Sequence, residues 1–186
     1  MQFRYTPAGL ESADARKVAD QLQQRLDALT ELGLTLKHVH WNVVGPGFLA
    51  VHEMLDEHVA KVRDMTDEVA ERIATLGGIP NGLPGMIVSR RDRDDYDLGR
   101  AVVPAHLGAL DKMFEEVTGA HRAAIDVIEP VDPVTADMLT AQTGGLELMQ
   151  WFIRAHLENT SGELPTTDEA TELDAAAAAA TAGHLD

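Results

Sequence analysis

The stretch HWNVVGPGFLAVHEMLDEHVAKVRDMTDEVAE, residues 40–71, decides how this chain is read. Of its three histidines, His40 and His52 stand out, with two i,i+4 pairs, His52/Asp56 and Asp67/Glu71. A helix over 47–76 advances about 100° and about 1.5 Å per residue. With His52 as origin, Asp56 falls at about 40°, Asp67 at about 60° and Glu71 at about 100°. The four form one stripe. Phe48, Val51, Leu55, Val59, Val62, Val69 and Ile73 fall together beside it, so the stripe borders a core-facing side. Arg63 also lies in the stripe, where it can neutralise carboxylates.

Imidazole and carboxylate at helical spacing suit a divalent transition metal. The two pairs cannot share one ion within one helix. Asp56 and Asp67 are 11 residues apart, about 16 Å along the axis. An antiparallel second copy resolves this. A two-fold axis midway along the stripe sets Asp67/Glu71 of one copy against His52/Asp56 of the other, giving two equivalent sites. The spacing therefore suggests a metal site shared between subunits.

Outward from that stretch, the pattern is helical. Ser12 is placed to N-cap a first helix reaching about Val43, with Val18, Leu22, Leu26, Leu29, Leu32 and Leu36 at intervals of three to four. The Gly45-Pro46-Gly47 turn ends it. A second helix is expected over Phe48–Leu76, closed by Gly77 and Gly78. Residues 77–92, with Pro80, Gly82, Pro84 and Gly85, read as a long crossover, followed by a short helical turn near 93–98. A third helix is expected over about 100–128 and a fourth from about Val134 to Asn159. Gly144-Gly145 weakens the fourth, and a close helix–helix approach would account for it. No strand pattern and no internal repeat stand out. Four helices of this length with one long connection describe an all-α, ferritin-like four-helix bundle. Its expected extent is 12–161, between a flexible tail at 1–11 and an acidic, alanine-rich tail at 162–186 expected to be disordered.

Composition agrees. The chain has 186 residues, 45% hydrophobic but only 4% aromatic, which favours helices over a sandwich of strands. Its net charge of −16 opposes non-specific nucleic-acid binding and fits handling of cations. There is no cysteine, so disulfides and thiolate metal sites are excluded. The opening MQFRYTPAGL lacks an apolar signal-like core, and no run of about 18 apolar residues exists. The expectation is a soluble, cytoplasmic protein without membrane contact; association with the nucleoid is left open.

The segment KHVHWNVVGPGFLAVHEMLDEHVAKVRDMTDEVAERIATLG (37–77), with TADMLTA (135–141) and QWFIRAHLE (150–158), resembles the Dps family, the mini-ferritins known as DNA-binding proteins from starved cells. The resemblance spans all four helices. It implies a hollow shell of twelve subunits built from dimers. It implies a ferroxidase that oxidises Fe(II), usually with hydrogen peroxide, and stores ferric mineral inside. Iron is then the metal. His40, His52 and Asp56 match the ligands from one subunit, and Asp67 and Glu71 those from its two-fold mate. The larger ferritins instead use Glu-x-x-His motifs inside one bundle. No histidine here has Glu three residues before it, which argues against an intrasubunit di-iron centre.

Other residues carry weaker expectations. Asp137, within TADML, best matches a pore acid on a three-fold axis. Asp132 and Glu129 are further pore candidates, against helix capping and ordinary surface charge. Glu147 is a candidate cavity acid for iron exit or nucleation. Trp41, and after it Trp151, could quench stray oxidising equivalents, although packing is the preferred reading of both. His38, His58, His106, His121, His156 and His184 read as surface or packing residues. Direct DNA binding is expected to be weak or absent. Residues 1–17 set Arg4, Arg16 and Lys17 against Glu11 and Asp14, the far tail is purely acidic, and twelve chains of −16 would carry about −192. Two alternatives to a ferroxidase remain: a nucleoid-compacting structural protein, and a non-catalytic buffer for zinc or manganese.

Overall fold

The computed structural model describes residues 6–7, 9–91 and 93–183. Six helices and one two-stranded pairing occur among them: α1 (Ser12–Asn42), β1 (Val43–Val44), α2 (Phe48–Thr75), α3 (Pro84–Arg90), β2 (Ala101–Val102), α4 (Val103–Ile128), α5 (Pro133–Arg154) and α6 (Glu172–Ala182). Most of the expected tail at 1–11, with Arg4, and the expected surface residue His184 lie outside the described residues.

Helix α1 packs on α2, α4 on α5, and the two hairpins face each other through α1 against α4 and α2 against α5. Leucine at three-to-four spacing makes this possible. Leu22, Leu29, Leu32 and Leu36 of α1 are fully buried, and they meet Leu55, Val62 and Ile73 of α2, Leu107, Leu110 and Phe114 of α4, and Leu139, Leu146 and Met149 of α5. Phe48, expected on the core side, instead sits at its edge and is 39% exposed.

The crossover returns the chain along the bundle, so that α4 starts beside the end of α1. A short parallel pairing of Val43 with Ala101 and Val44 with Val102 joins them there. Two residues per strand give no alternating pattern, so the sequence carried no sign of it. The crossover helix is also displaced from its expected place at 93–98 to Pro84–Arg90. Pro84 supplies the first helical residue, where its missing N–H costs nothing, and buried Ile87 pins the turn. A Cβ at Gly145 would stand 2.7 Å from Met65 Cε of α2, the mobile end of a methionine that can turn aside, and a Cβ at Gly144 would meet nothing within 4 Å, so close approach does not require either glycine. Helix α5 runs through both glycines without a break, but ends at Arg154, short of the expected Asn159.

The expectation of a disordered C-terminal tail is corrected. Residues Glu172–Ala182 form α6, packed along α4. Thr171 caps it by accepting a hydrogen bond from the Asp174 N–H at 3.1 Å, and Glu172 and Asp174 sit at its positive end. Ala175, Ala176 and Ala179 are buried. Their small side chains let the helix lie against Gly108, where a Cβ would come within 2.4 Å of the Ala175 carbonyl oxygen. The preceding loop is tied down as well. The Thr166 hydroxyl donates to Asp111 Oδ2 at 2.7 Å, and Arg93 of the crossover pairs with Glu172. Alanines bury little area each, but they surrender almost no side-chain entropy in doing so.

Candidate metal centre

His40 lies in the last turn of α1 and His52 in the second turn of α2, on either side of the Gly45–Gly47 corner. The short turn brings the rings into a stack, centroids 3.6 Å apart and planes 20° from parallel. The anchoring is reciprocal. His40 Nδ1 is 2.9 Å from the His52 carbonyl oxygen, and His52 Nδ1 is 2.9 Å from the His40 carbonyl oxygen. A carbonyl oxygen only accepts, so each Nδ1 carries the proton and each Nε2 keeps its lone pair. A carbonyl fixing Nδ1–H is the usual way of orienting an imidazole whose other nitrogen binds a metal.

Asp56 follows one turn after His52. It is exposed, and His40 Nδ1 lies 3.5 Å from its Oδ1. Lys37 Nζ donates to the same oxygen at 2.6 Å. That hydrogen bond, with the Lys37 charge behind it, outweighs desolvation and holds the carboxyl below the usual range. Lys37 was missed in the sequence, although its position three before His40 puts it on the same face of α1. Two imidazoles and one carboxylate are donor types suited to Fe(II).

Asp67 and Glu71 lie farther along α2, both exposed. Helix α2 is continuous, so its standard rise separates Asp56 from Asp67 by about 16 Å. Among the described residues, no three His, Asp or Glu side chains converge on a common point within the protomer. Arg63 is likewise exposed on this helix. Apolar side chains flank the imidazole pair: Trp41 is 70% exposed, Leu49 is 61% exposed, and the Phe48 ring lies 5.0 Å from that of His52. Trp41 is therefore not a core residue in the protomer; Lys37 Nζ sits 5.8 Å above its ring.

The remaining candidates separate by burial. Asp132 is 5% exposed and caps α5. Its carboxylate accepts from Arg72 Nη2 at 2.8 Å and from the Thr135 hydroxyl, bonds that overcome the upward push of burial and keep its pKa low. This is the capping role, the alternative to the pore role for this residue. Glu129 and Asp137 are exposed. Glu147 is paired with Arg122 on the bundle surface. Trp151 is 57% exposed. Of the histidines read as surface or packing residues, His58, His106 and His121 are buried in the bundle.

Two antiparallel helix pairs joined by a long crossover define the ferritin-like class, and the family model for a ferritin-like domain matches residues 19–162. The likeness narrows further. The DNA protection during starvation protein of Mycolicibacterium smegmatis is 51% identical over 172 residues, 92% of this chain and 94% of that protein. The fine tangled pili major subunit of Haemophilus ducreyi is 51% identical over 160 residues, 86% of this chain and 85% of that one. A solved structure of Mycobacterium smegmatis Dps superposes with a TM-score of 0.88 at 50% identity, covering 92% of this chain and 97% of its own. The chain belongs to the Dps family.

Proposed function

We propose that this protein is an iron-storing ferroxidase whose reactive pocket is completed by a second copy of the chain. The observation that carries the reading is the reciprocal Nδ1 anchoring of His40 and His52, which leaves two Nε2 lone pairs unspent at the corner that also carries Asp56. Asp67 and Glu71, on the same stripe of α2, supply the carboxylates of the other half. A two-fold axis midway along that stripe brings the sets together twice per dimer, with Trp41, Phe48 and Leu49 beside each histidine pair at the two ends of the contact. Dimers of this kind close into a shell of twelve, with ferric mineral stored inside and Asp137 and Glu129 as acids guiding Fe(II) inward.

Fe(II) is the substrate. Hard, anionic carboxylates favour Fe(III) over Fe(II), so bound iron becomes easier to oxidise. Two Fe(II) ions give one electron each to hydrogen peroxide, whose O–O bond breaks to leave two hydroxide equivalents and no hydroxyl radical. Protection of the cell and its DNA follows from removing both reagents. The −16 charge favours that indirect protection over direct contact with DNA. No helix is long and apolar enough among the described residues to cross a membrane, and the reaction fits the cytoplasm.

Stopped-flow absorbance after mixing Fe(II) and peroxide with the assembled protein tests the reading. A fast ferric signal that Zn²⁺ blocks is expected. Zinc binding with no faster iron oxidation than in buffer would make the protein a metal buffer instead.

A further inference from the structure

Tyr96 is the one described tyrosine of a chain that has two, the other being Tyr5. Its hydroxyl lies 2.9 Å from His106 Nδ1, and the two rings stack with planes 11° apart. His106 is fully buried. Burial pushes the Tyr96 phenol well above its ordinary range and pulls the imidazole down to about 4. At neutral pH the imidazole is uncharged, and in its Nε2–H tautomer Nδ1 accepts the phenol O–H. Packing alone does not require this pair; a Phe and a Leu would fill the volume with no polar groups to satisfy. A phenol hydrogen-bonded to a neutral imidazole is suited to giving up one electron, because its proton has somewhere to go as the electron leaves.

The pair sits at the right end of the molecule. His38 meets the Tyr96 ring edge-on at 5.8 Å and belongs to α1, two residues before His40. The pairing of Val43–Val44 with Ala101–Val102 joins the metal-binding corner to the segment between Tyr96 and His106.

We infer that Tyr96 and His106 form an internal electron relay that supplies the second electron when peroxide meets a pocket holding a single Fe(II) ion. The inference rests on the ferroxidase reading. One Fe(II) reduces peroxide by one electron, giving Fe(III), hydroxide and an oxidant of the hydroxyl-radical class. Tyr96 passes one electron to that oxidant, which becomes a second hydroxide. The phenolic proton moves to His106 Nδ1, leaving a neutral tyrosyl radical and an imidazolium. A later Fe(II) returns the electron, and His106 returns the proton. The sum is two Fe(II) oxidised for one peroxide, with both residues restored.

The test is freeze-quench electron paramagnetic resonance on the assembled protein, with about one Fe(II) per pocket and excess peroxide, alongside the optical ferric signal. A neutral, hydrogen-bonded tyrosyl radical is expected that persists in Tyr5→Phe, disappears in Tyr96→Phe and has its largest g component raised in His106→Leu. Should the variants at 96 or 106 fail to assemble, the high-field spectrum of Tyr5→Phe decides alone, because Tyr96 is then the only tyrosine left. Ferric signal without a tyrosyl radical, or a radical on tryptophan only, overturns the relay and leaves the ferroxidase reading standing. Absence of the ferric signal overturns both.

Discussion

His40 and His52 each place Nδ1 2.9 Å from the other's main-chain carbonyl oxygen. One short turn thereby fixes two imidazoles without spending either Nε2. Replacing His52 with Ala removes one ligand, its own Nδ1 contact and the ring stacked on His40, while the main-chain carbonyl that anchors His40 stays. Oxidation of Fe(II) by peroxide should fall by at least about tenfold, the scale expected when a ligand and its supporting contact go together. The bundle should keep its melting temperature within a few degrees, because His52 is only half-buried.

The contact between Lys37 and Asp56 competes with metal for the same oxygen. Lys37→Ala should tighten binding of Co²⁺, a redox-inert probe, a few-fold by titration calorimetry, and the gain should shrink at high salt. Unchanged or weaker binding would remove Lys37 from the site.

Asp132 and Asp137 are separable. Asp132→Ala leaves Arg72 without its carboxylate, though still bonded to Thr135, and α5 without its cap, and should cost about 3 kcal/mol in chemical denaturation. Asp137→Asn should leave stability unchanged and slow iron uptake at low salt. If Asp137→Asn takes up iron at the wild-type rate, the pore reading fails for that residue.

Gly108 seats α6. Gly108→Val should expel the helix, raising hydrogen exchange over Glu172–Ala182 to the rate of open chain while α1 to α5 stay protected. Continued protection of α6 would show that the close approach is not what holds it.

Burial lowers His58, His106 and His121 to about 4 from 6.5. Above about pH 6.5 all three are neutral folded or unfolded, and their contribution is whole. As pH falls from about 6.5 towards 4, only the unfolded chain takes up the protons. Stability should then drop by as much as about 4 kcal/mol per pH unit for the three together. Urea unfolding at pH 7 and pH 5 reads this, and His121→Gln should flatten the slope by about a third.

Much of this architecture could be read from local spacing. Leucines three and four apart gave α1, the Gly45–Gly47 turn bounded it, and the i,i+4 pairs on α2 gave the stripe. What escaped depended on partners far along the chain. The alanine run of α6 looks idle until Gly108, some 65 residues earlier, provides its seat. Asp132 resembled a pore acid because Arg72 is on another helix. Tyr96 and His106 are ten residues apart across a loop and a strand, so no periodicity joins them. Lys37 was legible at i−3 from His40, but a lysine among ligands reads as solvent-facing until its contact is seen.

The central claim is that the two halves of each pocket come from different protomers. Mixed assemblies of two inactive variants test it most directly: His52→Ala with Asp56→Ala on one chain, and Asp67→Ala with Glu71→Ala on the other. Refolded together, a heterodimer holds one pocket with both halves damaged and one with both halves intact. Peroxide-driven Fe(II) oxidation should therefore return in the mixture to about a quarter of the wild-type rate per chain if the chains pair at random. A mixture as inactive as its two parents would contradict the account.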